Sequence, residues 1–137
     1  MILVDTSAWV EFFRRQGNAT VKMRVAHYLQ RDEAAFTCPV YFEILSGARP
    51  AEVALIEETF SLCQRVFFQP EHWRKAAEFE QQSRARGLTV PRDDIFVATV
   101  AAQAGLPIGC HDKHFDWLRD RAGLPLDVDQ FATRIGS

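Results

Sequence analysis

Short apolar runs separated by longer amphipathic stretches constrain this chain more than any other feature. Ile2-Leu3-Val4 is apolar and rich in β-branched side chains, and Trp9, Val10, Phe12 and Phe13 follow at helical spacing behind Thr6 or Ser7 as a cap. Ala34-Ala35-Phe36-Thr37 is read as a second strand, residues 65–68 as a third, Ile108-Gly109-Cys110 as a fourth and residues 124–128 as the last, before a frayed tail. Helical patterns fill the gaps. One carries Val21, Val25, Tyr28 and Leu29; one runs from Pro39 to about Ser46, with Gly47 as its cap; others open at Pro50 and at Pro70, the latter ending near Gly87. Residues 93–104 form the last, closed by Gly105-Leu106-Pro107. Strands alternating with helices predict a mainly parallel sheet of four to five strands between helical layers.

With 137 residues, 47% of them hydrophobic, the chain can bury one real core but not two, so residues 1–137 are expected to form a single domain. Lys and Arg number 16 against 18 Asp and Glu, a net charge of -2. That balance excludes a protein that grips nucleic acid through a global basic field, so any polyanion must be held locally. The longest nearly apolar stretch, residues 95–102, is interrupted by Thr99 and falls short of the ~18 residues of a membrane span. A carboxylate at the fifth residue is incompatible with a secretory signal, and a cytoplasmic protein is expected. Cys38, Cys63 and Cys110 are odd in number and lack C-x-x-C spacing, which supports neither a disulfide framework nor a zinc site.

Four carboxylates fall at element ends. Asp5 lies directly after the first strand and Asp112 two residues after Cys110, so both point at the rim where open α/β sheets bind ligands, although each is also an ordinary turn or cap residue. Glu43 sits among Pro39, Val40, Tyr41, Phe42, Ile44 and Leu45; it either faces outward or needs a partner. Asp93 and Asp94 follow Pro91 at a helix start, where negative charge complements the macrodipole. Only Asp94 shares a helical face with Val97, Ala98 and Ala101, so Asp93 is expected to point elsewhere. Converging carboxylates repel one another unless a cation neutralises them, and all-oxygen ligation favours Mg²⁺ or Mn²⁺. His111 and His114 are read as surface loop histidines.

These fragments resemble the PIN-domain nucleases, in particular the VapC-type toxins of bacterial toxin–antitoxin pairs. The resemblance spans nearly the whole chain and rests on Ile2-Leu3-Val4-Asp5-Thr6-Ser7-Ala8, on Glu43 within residues 39–47, on Pro91-Arg92-Asp93-Asp94-Ile95-Phe96-Val97-Ala98-Thr99, and on Gly105-Leu106-Pro107-Ile108 running into Cys110-His111-Asp112-Lys113-His114-Phe115. It implies a PIN-like three-layer α/β/α domain. It also implies a catalytic, metal-binding quartet of Asp5, Glu43, Asp94 and Asp112, with Thr6 and Asp116 in support. Cys110 stands where the family often has Thr or Ser. The implied activity is Mg²⁺-dependent endoribonuclease cleavage of RNA, tRNA or rRNA included, by metal-activated water, with Mn²⁺ as a substitute ion. The implied partners are a cognate small antitoxin, lying along the helix of Trp9, Phe12 and Phe13, and a second copy in a homodimer. Arg92 and Lys113, beside the site acids, are candidates for RNA phosphates. Two other readings remain: a Mg²⁺-binding phosphoacceptor signalling domain, which would want paired acids after the first strand, and an inactive PIN-like binding module, which would have lost an acid.

Overall fold

The structure, a computed structural model, describes residues 1–132; the frayed tail expected at the carboxyl end lies, at residues 133–137, outside the described residues. Strands β1 (Ile2–Val4), β2 (Ala34–Thr37), β3 (Gln64–Val66), β4 (Ile108–Cys110) and β5 (Val128–Gln130) form one sheet in the order β3-β2-β1-β4-β5, every pairing parallel. Helices α1 (Thr6–Phe13), α2 (Ala19–Gln30), α3 (Cys38–Ser46), α4 (Val53–Ser61), α5 (His72–Ala85), α6 (Arg92–Ala104) and α7 (His114–Asp120) connect them. Every residue of β1, β2 and β4 is buried, which requires helices over both faces of the sheet.

The strand order places the site. From β1 the chain winds outward to β2 and β3, then returns to lay β4 on the other side of β1. Connections leaving β1 and β4 therefore diverge, and a crevice opens at their carboxyl ends, directly beside Asp5 and Asp112. The Trp9 indole N–H donates to the Val4 carbonyl at 3.1 Å, fixing α1 against the end of β1. Helix α6 is buried along Ile95, Val97, Ala98, Thr99, Val100 and Ala101, whose mostly small side chains allow close packing. It ends at Gly105, where φ of +66° is available to glycine without a Cβ clash. On β4, Gly109 makes room for the buried Phe131 ring, which would lie 2.1 Å from a Cβ at that position.

Several expectations shift. The third strand ends at Val66 instead of running to Phe68, whose ring leaves the sheet to pack edge-on against Trp73 and Phe96. The last strand is displaced from residues 124–128 to Val128–Gln130. Pro125 has no N–H to give a ladder, and pairing with β4 runs from Ile108↔Val128 to Cys110↔Gln130. The cap of α1 is Asp5, not Thr6 or Ser7. Among the described residues, no helix is long and apolar enough to cross a membrane.

Candidate metal centre

Asp5 ends β1 and caps α1, and it is 2% exposed. Its Oδ2 accepts the Ser7 N–H at 3.0 Å and the Ser7 hydroxyl at 2.8 Å, while Ser7 Oγ accepts the His111 N–H at 2.9 Å. Ser7 thus ties the first acid to the loop that carries Asp112. Burial, followed by the charges of Asp112 and Asp94, pushes the Asp5 carboxyl up to about 8 from 3.8. Asp94, in the first turn of α6 with its side chain 13% exposed, is pushed up to about 8 by burial and then by Asp112, Glu43 and Asp93. Glu43 projects from α3, where its Oε1 accepts the Thr6 hydroxyl at 2.8 Å. Burial raises its pKa against that hydrogen bond, and the neighbouring Asp93 raises it further.

The loop after β4 is braced from three directions. Asp112 Oδ1 accepts the His114 N–H at 2.9 Å, the buried Cys110 thiol reaches the Asp112 carbonyl at 3.9 Å, and Gln130 Nε2 from β5 donates to the same carbonyl. Burial pushes the Cys110 thiol far above its ordinary range, so it stays a neutral donor at the position where the sequence departs from the Thr or Ser of the family it resembles. Asp116 sits behind this loop, accepting from Gln130 Nε2 at 3.1 Å and pairing with Arg119 at 3.4 Å. Both partners are cationic or neutral donors, which suits a bracing role for Asp116.

Two residues differ from the sequence reading. Asp93 does not point away: it lies close enough to Glu43 and Asp94 for its carboxyl to raise the pKa of both. Helix α3 packs against α6, so the sector next to Asp94 lies beside Glu43 and is partly covered. His114 is not a loop histidine but the first residue of α7, with Nδ1 sharing a hydrogen bond with Asp94 Oδ2 at 2.8 Å. Its position two residues after Asp112 in the helix-opening segment was the available signal. Arg92 instead extends toward Glu80, 3.3 Å away, with 77% of its side chain exposed, and the Lys113 ammonium lies over the Trp117 ring, 5.0 Å from its centroid.

The arrangement can hold a cation. One ligand atom each from Asp94, Asp112 and His114 lie within 4.8 Å of one another, and Asp5 and Glu43 add charge from β1 and α3. Carboxylates with an imidazole beside them suit a divalent ion, whose charge would offset the burial and repulsion that hold the carboxyl protons on.

A family model described as PIN domain matches residues 2–119. Ribonuclease VapC11 of Mycobacterium tuberculosis is 33% identical over 126 residues, which cover 85% of this chain and 90% of that protein. Among solved structures, FitAcB from Neisseria gonorrhoeae superposes with a TM-score of 0.77 at 18% identity, covering 96% of this chain and 98% of that one. DNA-bound VapBC from Salmonella typhimurium gives 0.78 at 13% identity, over 96% and 100%. Such distant structures establish likeness of fold.

The electrostatics fix a pH dependence. Between pH 4 and 8 the folded protein holds protons on Asp5 and Asp94 that the unfolded chain releases, so stability falls as pH rises through that window. In chelator, the melting temperature is expected to drop by several degrees from pH 5.5 to pH 8, and Asp5→Asn with Asp94→Asn should flatten the slope. Thermal melts across that range check this, and a wild-type curve that rises with pH would contradict it.

Proposed function

The chain belongs to the PIN-domain family, and from that premise we propose that it is a metal-dependent endoribonuclease, the toxin of a type II toxin–antitoxin pair acting on RNA in the cytoplasm. The observation that carries the reading is the buried carboxylate cluster, in which Asp5 and Asp94 are held protonated near neutral pH mainly by burial and then by the charge of Asp112. When bound, Mg²⁺ or Mn²⁺ supplies activation of a water nucleophile and neutralises charge on the phosphate and leaving oxygen. Asp94 and Asp112 are the principal holders of the ion. Asp5 fixes its position from the end of β1, and Glu43, steadied by Thr6, closes the cluster from α3. Asp94 or Asp112 orients the attacking water through a hydrogen bond, so no protein nucleophile is needed. Lys113, beside Asp112, and Arg92, once released from Glu80, are the side chains assigned to RNA phosphates, with tRNA or rRNA as the substrate class.

The antitoxin reading moves from Trp9, which is fully buried, to a groove between α1, α3 and α4. Val10, Phe13, Ile44 and Ile56 line it, Arg14 and Arg15 flank it, and Glu43 reaches its inner end. An apolar antitoxin segment seated there brings a cationic side chain to the acids and replaces the charge of the metal. A homodimer would cover exposed apolar side chains such as Phe42 and Trp73, 71% and 60% exposed.

Asp94→Asn and Asp112→Asn are each expected to lower cleavage of a structured RNA pool by about 10²-fold or more, the scale of lost electrostatic preorganisation. Glu78→Gln, on the exposed face of α5, should leave it unchanged. Equal cleavage in chelator, or full activity of Asp94→Asn, would contradict the reading. Val10→Asp should weaken neutralisation by a co-expressed cognate antitoxin while cleavage persists; growth assays read this, and unimpaired neutralisation would displace the antitoxin from the groove.

A further inference from the structure

The donor set at the acidic crevice includes a nitrogen. His114 Nδ1 lies 2.8 Å from Asp94 Oδ2, and its ligand atom, with those of Asp94 and Asp112, falls inside a 4.8 Å circle of contacts. Adjacent ligands on an octahedral ion with bonds of ~2.1 Å stand about 3 Å apart and opposite ones about 4.2 Å, so the three atoms fit around one ion with small side-chain adjustment. The imidazole is also held in place. Its backbone N–H is bound to Asp112 Oδ1 at 2.9 Å, and its ring lies against Trp117 at a centroid separation of 5.5 Å. Lys113 and Arg121 pack on Trp117 in turn. The same turn therefore aims the fourth acid and the ring at one point.

We propose that His114 is a ligand of the same ion as Asp94 and Asp112, and that this nitrogen donor biases the site toward a transition-metal dication over Mg²⁺. The inference rests on the metal-site reading above. Mg²⁺ takes oxygen ligands and gives up its water reluctantly, whereas imidazole binds first-row transition dications readily. To hold the ion, His114 would present a neutral ring nitrogen beside the Asp94 carboxylate in place of their mutual hydrogen bond.

The test is pulsed electron paramagnetic resonance of the full chain, stripped with chelator and loaded with one equivalent of Mn²⁺. The wild type is expected to show nitrogen-14 modulation of the Mn²⁺ signal. His114→Asn should lose it and narrow the preference for Mn²⁺ over Mg²⁺ in competition titrations by about 10-fold or more, whereas His111→Asn should keep the modulation. Bound Mn²⁺ without nitrogen coupling in the wild type, or coupling that survives in His114→Asn, overturns the assignment of His114 alone. Failure of the wild type to bind Mn²⁺ overturns it together with the metal-site reading. Should His114→Asn not fold, His114→Ala is the second variant, and nitrogen modulation that persists in it overturns the assignment.

Discussion

Burial and mutual repulsion of the carboxylates that β1, α3, α6 and the loop after β4 bring together are the constraint on which the rest of the structure turns. Asp5 and Asp94 are buried beside Asp112, with Glu43 and Asp93 against Asp94, and without a cation the protein relieves this by keeping protons on. Folding has to oppose that repulsion with neutral donors. Ser7 serves Asp5, Thr6 serves Glu43, and the His114 N–H serves Asp112. Each donor comes from backbone or from a side chain fixed at a helix start, so the carboxyl groups are positioned before any ion arrives.

The sheet makes this crowding unavoidable. Because β4 inserts next to β1 after β2 and β3 have been laid on the other side, the first and fourth acids are neighbours by pairing register, with Val4 opposite Gly109. The buried, small-residue face of α6 then carries Asp94 to the same crevice, and α3 delivers Glu43 by packing on both α1 and α6. Removing a large part of the apolar core would loosen the site, but the site itself contributes charge strain. That is the usual pattern in which local rules are broken where function sits and satisfied elsewhere.

Much of this was legible in the residues. Strand-end placement marked Asp5 and Asp112, and helical spacing from Val97, Ala98 and Ala101 marked Asp94. Glu43 was ambiguous because an apolar neighbourhood does not say which helix face meets a partner. Asp93 was misplaced for a related reason: a helical wheel assumes one covered face, while α6 is covered by α3 as well as by α5. His114 was undervalued because its ring reaches Asp94 across the fold, 20 residues away in the chain. Gln130 could not be seen at all. Its role depends on a β5 register that begins three residues after Pro125, and on a side chain that reaches back to the Asp112 carbonyl.

The central claim is that these carboxyl groups hold protons which a divalent cation must displace. Calorimetric titration of chelator-stripped protein with Mn²⁺ at pH 7, repeated in buffers of different ionisation enthalpy, counts those protons directly. The account predicts release of about one to two protons per ion bound, consistent with two carboxyl groups pushed up to about 8, and a marked reduction when Asp5 and Asp94 are both replaced by Asn. Mn²⁺ binding with no proton release from the wild type would contradict it.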